Sequence, residues 1–389
     1  MPPPWLRAAL FSLPTLAASS SFVATLDPDL TFRLPLGFRQ NASASFLATD
    51  TSPAYSDQQL ANAANATAIA FSQEFADLFP LNASLQLVAE MAQPFAVEIG
   101  AWDCRRDQVW LTGPTINGTN YLEVLDLNSS QVYQPNTSLP IPNPNGGFYS
   151  NGTVYIASDG DFATPPAIYS VNATSLETTI LLDSYFGLRL NGPNDIAVVN
   201  KGNNTFLFFT DDPLSALYNA GQAPTLPDAV WRFDFRSQTL LPVIDRADIS
   251  VPNGIRANRE GTKLYLTSTP DPLTYGANGT ASSAIYVFDL DADARPTNKQ
   301  LFGFAERGIS DGLHVDDAGR VWTGEADGIF VRNEQGIILG LVNAAAVLSE
   351  QEMEQGYMLE NFALAGHKLV IFAVERVYVV ELAGRVVAC

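Results

Sequence analysis

Histidine and cysteine are scarce in this chain of 389 residues, with two of each. That poverty argues against a conventional structural zinc site. Positive charge is also short: Lys and Arg total 21 against 41 Asp and Glu, a formal net charge of −20. That field repels phosphate backbones and anionic membrane surfaces, so neither nucleic acid nor membrane is expected as a partner. It suits a bound cation, or solubility alone. Long apolar runs are missing too. A spanning helix needs about 18 or more uninterrupted apolar residues. The stretch Ala8 to Ala18 is too short, and the tail from Met358 is broken by Glu360, His367, Lys368, Glu375 and Arg376. What is present is apolar in bulk: 47% hydrophobic residues, enough for a substantial core.

The first 21 residues read as a secretory signal, with a short positive region ending at Arg7, an apolar stretch and small residues from Ala17 to Ser21. Asn-x-Ser/Thr sequons at Asn41, Asn65, Asn82, Asn117, Asn128, Asn136, Asn151, Asn172, Asn203 and Asn278 agree with a glycosylated extracellular protein. In an oxidising compartment Cys104 and Cys389 pair; otherwise they are two unrelated thiols.

Residues 22–91 are expected to form an extension packed on the outside of the remainder of the chain. Within it, Ser56 to Phe79 has helix-like spacing and is rich in Ala and Gln. From about residue 92 short β-branched and aromatic runs alternate with Gly, Asn, Asp and Pro turns, without helical spacers, which indicates an all-β fold. A unit of polar strand start, strand, polar turn and second strand recurs at Glu98–Thr112, Asn145–Ser158, Asn194–Thr210, Asn253–Ser268, Asp311–Gly324 and Asn361–Ala373. A spacing of roughly 50 to 60 residues is that of propeller blades. The six units predict a six-bladed β-propeller over 92–389; two sandwiches would not explain the period.

Gly308-Ile309-Ser310-Asp311-Gly312 fits the G-x-S-x-G pattern of serine hydrolases. A nucleophile elbow, however, needs a helix after the serine, and the residues after Ser310 read as strand, turn, strand. Both histidines, His314 and His367, lie in strand-like runs. The repeat starts offer a different chemistry. In a propeller they meet around the axis, which gathers Glu98, Asn194, Asn253 and Asp311. Carboxylates with amide oxygens suit a hard divalent cation, Ca²⁺ best, with Mg²⁺, Mn²⁺ or Zn²⁺ as alternatives. Each Asx-Gly taken alone is also an ordinary turn signal.

Four motifs carry a resemblance: the glutamate segment Glu98 to Asp103, and those running Leu181 to Val198, Val251 to Asn258 and Ser310 to Val331. Over about Glu98 to Val387 the chain resembles the senescence marker protein/gluconolactonase/regucalcin group, and within it secreted fungal lactonohydrolases. One departure is Ile99-Gly100, where the family has Gly-Pro after the glutamate. The resemblance implies a secreted metal-dependent hydrolase that opens a lactone, the cation polarising the carbonyl and activating water. It implies Glu98, Asn253 and Asp311 as metal ligands, with Asn194 beside the metal. Asp311 would be the base and Asn194 would orient water or substrate. Arg189, Asp195, Tyr218 and Tyr275 are candidate contacts to a small lactone or ester, and the loops Asp211 to Asp228 and Pro270 to Ser283 would rim the mouth. The same scaffold also serves aryl-ester or organophosphate hydrolysis, and a non-catalytic propeller with a structural cation.

Overall fold

Strands Gln108–Thr112, Val321–Glu325, Gly328–Arg332 and Lys368–Ala373 are buried along almost their whole length. Such strands need a sheet covered on both faces, and a ring of sheets supplies it. The computed structural model describes residues 21–39, 44–217, 221–270 and 283–389. Residues 1–20 of the expected signal, sequons Asn41 and Asn278, and Tyr218 and Tyr275 lie outside the described residues.

The chain is a six-bladed β-propeller of antiparallel sheets. Blade 1 holds Glu98–Asp103, Gln108–Thr112, Leu122–Asp126 and Gln131–Tyr133. Blade 2 holds Pro144–Ser150, Thr153–Ser158, Ala167–Asn172 and Thr178–Leu182, and blade 3 Pro193–Lys201, Asn204–Asp211, Ala229–Asp234 and Thr239–Asp245. Blade 4 holds Pro252–Ala257, Lys263–Ser268, Ala284–Leu290 and Pro296–Phe304, and blade 5 Ser310–Val315, Val321–Glu325, Gly328–Arg332 and Ile338–Asn343. Blade 6 holds Phe362–Ala365, Lys368–Ala373 and Arg376–Glu381, and takes its outermost strand, Leu85–Glu90, from the other end of the chain. The first strands of successive blades lie side by side, and that of blade 6 returns to that of blade 1.

A boundary at residue 92 therefore cuts through blade 6. Leu85–Glu90 alternates only weakly between exposed and half-buried positions, so on sequence it blends into the extension. Its partner strand, not its own pattern, places it in the ring. The rest of the extension packs on blade 5. Val23–Thr25 and Ala68–Ala70 add two strands beyond Ile338–Asn343. A helix, Ala54–Ala64, turns Leu60 and Ala63 into a core with Ile69, Phe71, Phe330 and Leu341.

Each pair of neighbouring blades shares one apolar layer. Trp110, Val124, Ile156 and Tyr169 fill the gap between blades 1 and 2. Val109, Leu111, Val370 and Phe372 do the same between blades 6 and 1. Turns far from the axis repeat as well. At the end of the third strand of blades 1 to 5, Asp126, Asn172, Asp234, Asp291 and Asn333 each accept the backbone N–H two residues on. These side-chain turns fix tight connections and absorb part of the chain's acidity.

The two faces of the ring differ in loop length. On the lower face the connections are short, such as 104–107, 151–152, 202–203 and 366–367. On the upper face, where each first strand begins, run the long segments 113–121, 134–143, 159–166, 183–192, 212–217 with 221–228, and 344–361. Long loops on a rigid scaffold are where binding residues concentrate, and the upper face carries them.

Candidate metal centre

The first strands of blades 2 to 5 open with an irregularity. The pairing of first and second strands skips between Pro144 and Gly147, Pro193 and Ile196, Pro252 and Ile255, and Ser310 and Leu313. Bulges of this kind re-aim side chains, and the residues inside them are Asn145, Asn194, Asn253 and Asp311. Threonines from the second strands hold the bulges. Thr210 Oγ1 accepts the N–H of Asp195 at 2.9 Å and donates to the Asn253 carbonyl at 2.7 Å. Thr267 Oγ1 accepts the N–H of Gly254 at 2.8 Å and donates to the Asp311 carbonyl at 2.9 Å. Each hydroxyl thus ties its own blade to the next. Glycine is required between them: a Cβ on Gly254 would lie 2.4 Å from the Asp311 carbonyl oxygen.

At the upper end of the axis three carboxylates come together. Oxygens of Glu98, Asp311 and Glu360 lie within 4.8 Å of one another. Asn253 lies against Asp311. Its Nδ2 donates to Thr269 Oγ1 at 2.8 Å, and its Oδ1 is buried without a partner among the described residues. Asn361 Nδ2 donates to Glu98 Oε2 at 3.1 Å, while its Oδ1 accepts the Phe362 N–H at 2.9 Å and faces His314 Nε2 at 3.3 Å. Among the described residues no Lys or Arg forms an ion pair with Glu98, Asp311 or Glu360.

Uncompensated burial raises all three acids. Burial, then Asp311 and Glu360, push the Glu98 carboxyl well above its usual range. Burial pushes Asp311 up to about 7 against the opposing hydrogen bond of Asn253. Burial, then Asp311, pushes Glu360 up to about 8. Together with the unpartnered Asn253 oxygen, this donor set fits a hard divalent cation.

Of the residues singled out in the sequence, Glu98 and Asp311 meet directly and Asn253 stands beside Asp311. Asn194 opens blade 3 at the equivalent position, its carbonyl 2.1 Å from where a Gly146 Cβ would lie, with no hydrogen bond to the carboxylates among the described residues. Asp195 is not free to meet a substrate. Its carboxylate takes Arg256 Nη1 at 3.0 and 3.1 Å and the N–H groups of Ile196 and Ile255 at 2.8 and 3.1 Å, all of them buried. Arg256 also reaches the Gly147 carbonyl at 3.3 Å, so this ion pair joins blades 2, 3 and 4. Arg189 donates to the carbonyls of Leu190 and Ala223, within the upper loops. Cys104 and Cys389 are bonded, with 5.3 Å between their Cα atoms.

Ser310 is no nucleophile here. Its hydroxyl is buried without a partner among the described residues. His314 is turned to Asn361, and burial lowers its pKa to about 3, so it stays neutral. A cavity of about 370 Å³ sits at the lower end of the channel, lined by Phe148, Arg256, His314 and the terminal Cys389. Its lining contains none of the three clustered carboxylates.

Sequence reasoning missed Glu360, Asn361 and Arg256. The first two had a visible signal, since they open the sixth repeat as Glu98 and Asp311 open the first and fifth. Arg256 had none; a lone arginine in an apolar strand shows its partner only in the fold.

The chain matches the family model described as SMP-30/Gluconolactonase/LRE-like region over residues 113–351. It is 27% identical over 203 residues to a gluconolactonase of Zymomonas mobilis, covering 50% of this chain and 52% of that protein. It is 23% identical over 217 residues to lactonohydrolase oryL of Aspergillus oryzae, covering 51% and 49%. The chain thus spans about half the length of these curated relatives. Among solved structures, XC5397 of Xanthomonas campestris, described as a gluconolactonase, superposes with a TM-score of 0.63 at 19% identity, over 81% of this chain and 94% of that one. A calcium-binding protein, regucalcin, of Agrobacterium tumefaciens gives 0.55 at 16%, over 79% and 97%. At such identities the likeness shows the fold.

Proposed function

Since the chain belongs to the SMP-30/gluconolactonase/LRE-like family, we propose that it is a secreted, cation-dependent hydrolase that opens lactones. The observation that carries this reading is the cluster of Glu98, Asp311 and Glu360 within 4.8 Å, with no basic partner among the described residues and the unpartnered Asn253 Oδ1 beside it. Glu98, Asn253, Asp311 and Glu360 would hold the cation, with Asn194 at its edge; the all-oxygen set favours Ca²⁺. A divalent ion there supplies positive charge to a carbonyl oxygen and makes water more acidic.

The remaining work falls to the side chains. Asn361 holds Glu98 in place. Asn194 orients the ester against the cluster. Asp311 takes a proton from the attacking water as its oxygen bonds to the carbonyl carbon. When the ring C–O bond breaks, that proton passes to the leaving oxygen, and the product is a hydroxy acid. The long loops of the upper face bound the substrate. Secretion is supported by the Cys104–Cys389 bond and by the exposure of Asn65, Asn82, Asn117, Asn128, Asn136, Asn151, Asn172 and Asn203, the described sequon asparagines.

A panel of aldonolactones, aryl esters and phosphotriesters, followed with a pH indicator, tests this. Lactone opening should vanish in chelator, return with Ca²⁺, and be absent in Asp311→Asn with the circular dichroism unchanged. Undiminished turnover in chelator would overturn the cation's role. A panel without any lactone hydrolysis would overturn the activity.

A further inference from the structure

We propose that a second divalent cation is held on the upper face between blades 2 and 3, by the carboxylates of Asp159 and Asp212 with the hydroxyl of Ser215. Asp212 follows the second strand of blade 3 and is 1% exposed. Its Oδ1 accepts the Leu214 N–H at 2.8 Å, whereas its Oδ2 is buried and unpartnered among the described residues. Ser215 is 5% exposed, and its Oγ is equally unpartnered.

Ser215 Oγ and Asp159 Oδ1 converge with the Asp212 carbonyl oxygen, and the charge of Asp159 acts on the Asp212 carboxyl. A methyl group placed on Gly192 would lie 3.0 Å from Ser215 Oγ, 3.1 Å from Asp159 Oδ1 and 3.2 Å from the Asp212 carbonyl oxygen. A methyl on Gly221 would also lie 3.0 Å from Ser215 Oγ. Two glycines from different loops thus border one small space ringed by hard oxygen atoms.

The surrounding charge is unbalanced. Asp211 and Asp228 are already engaged: Asp211 accepts the N–H groups of Asn191 and Gly192 at 2.9 and 2.8 Å, and Asp228 accepts Asn191 Nδ2 at 3.3 Å and faces Arg246 at 3.9 Å. Asp159 has a long contact from Asn145 Nδ2 at 3.4 Å. No Lys or Arg pairs with Asp159 or Asp212 among the described residues. Burial accordingly pushes Asp159 up to about 7 and Asp212 well above its usual range.

Asp212 and Ser215 are too deeply buried to meet a polyol, so a bare ion suits the space better than part of a substrate. Such an ion would tie segments 159–166 and 212–217 to the loop 183–192, which carries Arg189 and leads into Asn194. The inference does not rest on lactone hydrolysis, and its test counts ions. Protein equilibrated with Ca²⁺, freed of loose ions and analysed by elemental mass spectrometry should carry two per chain. The pair Asp159→Asn/Asp212→Asn should carry one, as should Glu98→Gln/Asp311→Asn. Gly192→Ala, which keeps every oxygen but fills the space, should also drop to one. A wild-type count of none overturns the proposal, as does any count that neither Asp159→Asn/Asp212→Asn nor Gly192→Ala lowers; Gly192→Ala keeps every oxygen and serves where the double variant fails to fold.

Discussion

Asp311 joins most of the interactions at the upper end of the axis. Its carboxyl meets Glu98 and Glu360, and its carbonyl takes the Thr267 hydroxyl. In the ion-free protein Asp311 is pushed up to about 7 and Glu360 up to about 8. Raised carboxyl pKa values favour the protonated form in the folded state. Their contribution to stability is therefore full below the ordinary carboxyl range and is lost as pH rises through about 7 to 8. A cation replaces those protons. The rise in melting temperature on adding Ca²⁺ should be small at pH 5 and large at pH 8, as thermal melts at the two pH values will show. An equal rise at both would contradict the cluster as the binding site. Asp195 makes a different prediction. Asp195→Asn leaves Arg256 buried and unpaired, which costs about 3–5 kcal/mol, readable by urea denaturation. Glu98, Asn253 and Asp311 were legible in the sequence because repetition marks equivalent positions; Asn194 was marked in the same way but makes no hydrogen bond to the carboxylates among the described residues. The pairing of Asp195 with Arg256 was not, because it depends on which blades adjoin.

At the scale of elements, the recurring device is a bulged strand start held by a threonine of the second strand. Thr210 and Thr267 each serve two blades. Thr267→Val keeps the shape but leaves the Gly254 N–H and the Asp311 carbonyl without their partner. A buried unsatisfied group costs about 1–3 kcal/mol, and Asp311 loses its backbone tether. Lower stability and weaker Ca²⁺ binding should appear together, and Thr267→Ser should restore both; a Val variant that binds Ca²⁺ normally would contradict this. The recurrence of a second strand after each polar strand start was visible in the sequence. The purpose of its threonines was not, since the bonds run between segments some 40 residues apart. Leu85–Glu90 was harder still, because a strand with one weakly apolar face takes its identity from the edge it completes.

For the whole molecule, the ring is closed twice. Leu85–Glu90 pairs with Arg376–Glu381 inside blade 6, and Cys104 in blade 1 is bonded to Cys389. The ring brings Glu98 and Glu360, both outside the segment matched by the family model, against Asp311, which lies within it. The bond spans a sequence separation of 285 residues, and removing a native disulfide typically costs about 2–5 kcal/mol. Cys104→Ser/Cys389→Ser should melt lower than the parent while binding Ca²⁺ with similar affinity, since the bond sits at the lower end and the cluster at the upper. Calorimetry with and without the bond will separate the two effects. The proposed chemistry stands on distant strand starts meeting to hold one ion between blades 1, 4, 5 and 6. Anomalous diffraction from crystals soaked in Mn²⁺ will locate that ion. A peak enclosed by Glu98, Asn253, Asp311 and Glu360 is expected; a fully soaked crystal with no peak among those four would contradict it.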